Sequence, residues 1–269
     1  MIYKKISLDS ENEKIFLECY IAEKIPHFTR KAILVIPGGG YGSVCDNREG
    51  EPIAHAFMAR GYNAFVLHYS VISNSTGKVF PAQLIEASKS IKYIKDNAEE
   101  FGHDPNKVFV TGFSAGGHLC ASTGILWNLP EIYEAIDMPY GYNKPAGIMP
   151  VYPVINNHTG SFRNLLGKTE LTDEDIAKVS LDIHVNAESS PAFIVHTVND
   201  QVVPVANALD LAKAYAEAGV PFELHIYPDS PHGFALGNNI TMLDVPKWND
   251  ASIGKWIENA VYWTDKISE

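Results

Sequence analysis

Short apolar runs and amphipathic stretches alternate along the chain. AILVIP (32–37) and NAFVLHY (63–69) carry few polar breaks, as strands buried on both faces do. Between them, EPIAHAFMARG (51–61) places apolar residues at helical spacing and stops at Gly61. PAQLIEASKSIKYIKDNAEEFG (81–102) predicts one long amphipathic helix, with Leu84, Ile85, Ala87, Ser88, Ile91 and Ile94 on one face. KVFVTGF then reads as a strand, with a helix after Ser114. GIMPVYPVI (147–155), PAFIVHTVN (191–199) and FELHIYPD (222–229) predict three further strands, and NALDLAKAYAEAG (207–219) a helix between the last two. YKKISL and IFLECYIA near the start alternate more clearly and suggest an antiparallel edge pair, and KWIENAVYWTDKI (255–267) predicts the last helix.

This order implies an α/β fold with about eight mostly parallel strands and helices on both faces. A chain of 269 residues with 46% hydrophobic content can bury such a core as one domain spanning 1–269. Only 156–190 breaks the rhythm; it is polar and predicts a small cap folded over one end of the sheet.

Ligands in an open α/β sheet sit at the carboxyl ends of the strands. AILVIP is followed by Gly38, Gly39, Gly40 and Tyr41, VFVTGF by Ser114, FIVHTVN by Asp200, and ELHIYPDSP by His232. One edge thus gathers a glycine cluster, a serine, an aspartate and a histidine. A serine hydroxyl is a weak nucleophile at neutral pH and needs a base to take its proton. Histidine suits that task, and an aspartate holds its tautomer and stabilises the imidazolium. The tetrahedral oxyanion needs backbone N–H donors, which a side-chain-free loop presents. Gly112, Gly116 and Gly117 around Ser114 allow the sharp strand-to-helix turn that exposes a nucleophile. Taken singly, each feature also has a plain structural reading: a tight turn, a helix cap, a solvated histidine. Their joint placement and the order Ser, Asp, His favour the catalytic one.

The remaining candidates are read structurally. The glycine cluster lacks the lysine and hydroxyl of a nucleotide-binding loop. His68, His196 and His225 fall inside strands and His55 and His118 on helices; His118 is expected to pack under the serine. Cys45 near the glycine loop is expected as a pocket-wall or buried thiol. No metal and no cofactor is expected. The net charge of −11 argues against a nucleic-acid partner and against a polybasic membrane anchor. Cys19, Cys45 and Cys120 form no disulfide framework, and MIYKKISLDSENEKIF has no apolar h-region, so a cytoplasmic protein with reduced thiols is expected.

PGGGYG, DNREGEP, GFSAGGHL, NDQVVP and PHGF together resemble the α/β-hydrolase esterases, most closely the small bacterial group of acetyl-xylan esterases and bifunctional acetyl/feruloyl carbohydrate esterases. The resemblance runs over about residues 30 to 240. It implies Ser114 as nucleophile, His232 as base, Asp200 as acid, and oxyanion donors from Ala115 and from Gly39 and Gly40. The related hormone-sensitive-lipase-like enzymes carry histidine where this chain has Pro37, which sets it outside that branch. Removal of acetyl groups from an oligosaccharide is the expected activity. A short-chain lipophilic carboxylesterase, an aryl-formamidase, a peptidase and a non-catalytic binding module remain as alternatives. Tyr41 is expected to reach the acyl side of the pocket and shorten it. Asp46, Asn47, Arg48 and Glu49 are read as rim residues, for sugar hydroxyls or for solvent alone.

Overall fold

The structure is a computed structural model that describes residues 1–75, 77–156, 158–241 and 252–268. Its centre is one eight-stranded sheet: β1 (Ile2–Ser7), β2 (Phe16–Ile21), β3 (Arg30–Ile36), β4 (Tyr62–His68), β5 (His103–Phe113), β6 (Gly147–Val151), β7 (Ala192–Thr197) and β8 (Phe222–Tyr227). The spatial order is β1-β2-β4-β3-β5-β6-β7-β8. β1 and β2 form the antiparallel pair expected at the edge, and β2 also runs antiparallel to β4. Every other pairing is parallel.

The unbroken apolar runs are explained by the two layers they bury. Side chains alternate across a strand, so β3 sends Ala32, Leu34 and Ile36 to one face and Ile33 and Val35 to the other. The first face packs on Leu84, Ala87, Ile91 and Ile94 of the helix Ala82–Asp96 and on Leu211 and Tyr215 of the helix Ala206–Ala218. The second packs on Ile53 and Phe57 of the helix Glu51–Met58 and on Trp256, Ala260 and Trp263 of the helix Trp256–Lys266.

Two of the boundaries that differ from the sequence reading have a local cause. The stretch 81–102 holds two helices, Ala82–Asp96 and Ala98–Phe101, rather than one. Asn97 divides them, its side-chain amide donating to the Tyr93 carbonyl at 2.8 Å, a local bond that competes with the helical ladder. The strand expected over 147–155 ends at Val151, because Tyr152 takes φ +38° and Pro153 follows. Segment 156–190 contributes two short helices, Thr159–Leu166 and Asp173–Val179, and a 3-10 turn, Leu181–His184. Among the described residues no helix is long and apolar enough to cross a membrane.

Candidate active site

β5 stands near the middle of the sheet, and its end delivers Ser114. That residue takes φ +56° and ψ −119°, then caps the helix Ala115–Ile125. A non-glycine residue held there costs about 1–3 kcal/mol, strain that surrounding structure must impose. Here the Ser114 N–H donates to the Val151 carbonyl at 3.1 Å, and its carbonyl accepts from Val154 and His118, each at 3.1 Å. Close packing of the helix against the neighbouring strand completes the elbow. A Cβ on Gly116 would stand 2.2 Å from the Ile36 carbonyl and 2.3 Å from that of Pro37, both rigid backbone. Gly116→Ala is therefore expected to lower stability by about 1–3 kcal/mol, the usual range for overpacking. Chemical denaturation checks this as a fall in the unfolding midpoint at unchanged slope.

His232 and Asp200 arrive from the loops after β8 and β7. His232 Nε2 lies 2.8 Å from Ser114 Oγ, and its Nδ1 lies 2.7 Å from Asp200 Oδ2. Asp200 Oδ1 accepts the N–H groups of Val202 at 2.8 Å and Val203 at 2.9 Å. Its carboxylate is fully buried. Burial alone would push this carboxyl above its usual range. The bond to His232 and the two amides outweigh it and hold the carboxyl below its usual range.

The glycine loop after β3 is tied back through its carbonyls. The Gly38 carbonyl accepts from Cys45 N at 2.9 Å, the Gly39 carbonyl from Gly42 and Ser43 at 3.0 and 3.1 Å, and the Gly40 carbonyl from Asn164 Nδ2 at 2.8 Å. In a trans peptide the N–H points opposite the preceding C=O, so the Gly39 and Gly40 N–H groups face away from those anchors. Among the described residues neither they nor the Ala115 N–H meets an acceptor. Gly39 takes φ +125°, and a Cβ there would collide with the Ser43 carbonyl at 2.1 Å. Gly38 lies against Ser114, with its would-be Cβ 3.0 Å from Ser114 Cβ.

Tyr41 departs from expectation. It is 1% exposed and lies in the core, not on an open pocket wall. The loop passes through φ +125°, +63° and +58° at Gly39, Gly40 and Tyr41, and the tyrosine hydroxyl ends 2.7 Å from His118 Nδ1. His118 Nε2 sits 2.7 Å from the Val179 carbonyl. A carbonyl only accepts, so Nε2 carries the proton and the tyrosine donates to Nδ1. Burial pushes His118 down to about 4, which keeps it neutral. His118 thus joins the glycine loop to segment 156–190, a firmer role than packing under the serine.

Glu49 also departs from its reading as a rim residue. It is 2% exposed. Its Oε2 accepts the Gly38 N–H at 2.8 Å and its Oε1 accepts the Tyr152 hydroxyl at 2.8 Å. Burial raises its carboxyl above the usual range, against the Gly38 and Tyr152 bonds that favour the charged form. Nothing in the polar run DNREGEP marks this residue as buried. Cys45 is half-buried, and burial raises its thiol above the usual range, so it is a poor nucleophile.

The sequence offered no metal-ligand cluster, but folding brings Glu18, Asp46 and His68 together. His68 Nε2 is 3.6 Å from Glu18 and 3.7 Å from Asp46, and Lys5 Nζ is 3.1 Å from Glu18. Nε2 of His68 and of His196 has no hydrogen-bond partner among the described residues, so these strand histidines are less satisfied than expected.

Most of the chain matches a known family. The BD-FAE family model covers residues 17–215. The chain belongs to the BD-FAE family. The fold is that of the α/β-hydrolases, and the resemblance to α/β-hydrolase esterases expected from the motifs is shown. A dienelactone hydrolase family model matches residues 177–265. Endo-1,4-beta-xylanase B of Butyrivibrio fibrisolvens is 36% identical over 78% of this chain and 33% of its own length. The acetylxylan esterase of Xylanibacter ruminicola is 28% identical over 95% of this chain and 51% of its own. The chain therefore spans between a third and about half of these curated relatives. The crystal structure of an acetyl ester-xyloside bifunctional hydrolase from Caldicellulosiruptor lactoaceticus superposes with a TM-score of 0.81 at 29% identity, covering 98% of this chain and 96% of that one.

Proposed function

We propose that this BD-FAE family member is a serine carboxylic-ester hydrolase that removes acetyl groups from oligosaccharides. The observation that carries the reading is the continuous relay from Ser114 Oγ through His232 to Asp200, at 2.8 and 2.7 Å. His232 Nε2 takes the Ser114 proton as Oγ attacks the ester carbon, while Asp200 fixes the proton on Nδ1. The oxyanion is met by the N–H of Ala115 and by those of Gly39 and Gly40. His232 then returns the proton to the departing alcohol, and water repeats the sequence on the acyl-enzyme.

The acetyl and sugar specificity rests on kinship: the Xylanibacter relative is named an acetylxylan esterase, and the Caldicellulosiruptor structure an acetyl ester-xyloside hydrolase. Segment 156–190 acts as a small cap, reaching the oxyanion loop through Asn164 and His118. The test is a series of aryl acetate, butyrate and octanoate followed by acetylated xylan. Acetate should lead butyrate by about tenfold or more, since each methylene in such a site discriminates by about 1–3 kcal/mol, and acetate should be released from the polysaccharide. Preference for octanoate with no release from xylan would replace this reading with a lipophilic carboxylesterase.

A further inference from the structure

The buried carboxylate of Glu49 has no part in the relay, yet its partners are the loops on which the relay depends. Its Oε2 accepts the N–H of Gly38 at 2.8 Å. The carbonyl of that same peptide unit, Pro37 C=O, accepts the Tyr69 hydroxyl at 2.8 Å. The Pro37–Gly38 peptide is thus fixed from both sides. This peptide is the base from which the Gly39 and Gly40 N–H groups project.

The other carboxylate oxygen leads to the histidine loop. Tyr152 donates to Glu49 Oε1 at 2.8 Å, and its oxygen accepts the Ala235 N–H at 3.2 Å. The Tyr152 ring also meets the His232 ring edge-on, with centroids 4.9 Å apart. Proton accounting leaves one arrangement. The Ala235 and Gly38 amides can only donate, so the tyrosine hydrogen goes to Glu49, and both carboxylate oxygens act as acceptors. A carboxylate meets that demand; an amide, with one acceptor and one donor end, does not.

We propose that Glu49, with Tyr152, is a positioning residue that holds the oxyanion loop and the His232 loop in mutual register. The inference rests on the esterase reading and assigns the brace that keeps that site assembled. Glu49 touches neither substrate nor reacting atoms. It acts through the direction of the Gly39 and Gly40 amides, so removing it should weaken transition-state binding and leave ground-state binding nearly unchanged.

The full chain is assayed as wild type, Ser114→Ala, Glu49→Leu, Glu49→Gln, Tyr152→Phe and the Glu49→Gln/Tyr152→Phe pair, with folding monitored by thermal unfolding. Turnover is read on an aryl acetate. A methyl trifluoromethyl ketone is the second probe: Ser114 Oγ adds to its carbonyl carbon, the π pair moves to oxygen as an oxyanion, and the proton passes to His232. Outright loss of one oxyanion donor costs about 10²–10³ in kcat. Misdirected donors in Glu49→Leu should cost about 10–100-fold, with KM within about threefold of wild type and ketone affinity weakened in parallel with kcat. Glu49→Gln can keep its oxygen on Gly38 and lose the tyrosine arm, so it and Tyr152→Phe should each cost about 3–10-fold, with the pair little worse than either. A folded Glu49→Leu with kcat within twofold of wild type overturns the proposal, as does a fall in kcat with ketone affinity unchanged. If Glu49→Leu does not fold, Glu49→Gln and Tyr152→Phe decide, and wild-type turnover in both overturns it. An active wild type with an indifferent Glu49 series removes this inference alone; a wild type inert on esters, or a Ser114→Ala as active as wild type, removes the esterase reading with it.

Discussion

Ser114→Ala should lower ester turnover by about 10⁴-fold or more and leave the protein folded. Loss of the nucleophile in a serine relay has an effect of about 10⁶ in the worked protease case, with residual rate from the oxyanion donors. Several features of the site favour a result of that size here. Ser114 Oγ is the hydroxyl within hydrogen-bond distance of His232 Nε2, and Cys45, half-buried with its thiol raised above the usual range, offers no substitute. A serine-directed phosphonate should label the wild type at Ser114 and leave the variant unlabelled. The backbone adds a second readout. The pair φ +56°, ψ −119° is one that glycine adopts freely and other residues do not. Ser114→Gly should therefore be inactive but more resistant to denaturant than wild type, by up to about 1–3 kcal/mol. Mass spectrometry of the phosphonate adduct and paired unfolding curves check both halves. Near wild-type turnover in Ser114→Ala would leave the proposed mechanism without its nucleophile.

The relay was legible in the sequence because each member follows the end of an apolar strand. Strand ends on one edge of a parallel sheet converge, whatever lies between them in the chain. The elbow was legible for a related reason, since glycines between a buried strand and an apolar helix mark a close backbone approach. Glu49 was not legible. It lies in DNREGEP, where polar character suggests solvent, and its partners are Gly38 across a turn and Tyr152 some hundred residues away. Periodicity reports which face a side chain is on, and it carries no information about a distant partner. Tyr41 failed for a backbone reason: three successive positive φ angles send its side chain inward, and only Gly39 and Gly40 announce such angles by residue type. The break at Asn97 depends on one side-chain bond that a helical stripe of apolar residues overrides on paper.

Asp200→Asn should lower turnover by about 10⁴-fold, on the scale of the corresponding change in the worked protease case, while substrate binding changes little. Oδ1 of Asp200 faces two donors, the N–H groups of Val202 and Val203. An asparagine side chain would keep its oxygen there and turn its NH₂ toward His232 Nδ1. Nδ1 would then have to accept, and the ring proton would move to Nε2. An Nε2–H cannot take the Ser114 proton, so the base is lost although every heavy atom stays in place. A pH consequence follows from the same contacts. The Asp200 carboxyl is held below its unfolded value, opposed by burial and driven by His232 and the two amides. Its contribution to stability is therefore fully present above the unfolded carboxylate range and is lost as pH falls through the lower, folded value. Asp200→Asn removes that contribution, so its unfolding midpoint should decline less steeply under acid than that of the wild type. Stopped assays of kcat and KM at neutral pH, together with denaturation curves from pH 7 down to about 3 across the carboxylate range, test both claims. An Asp200→Asn protein that retains a tenth of wild-type kcat would show that His232 keeps its working tautomer without the carboxylate, and the role assigned to Asp200 would fall.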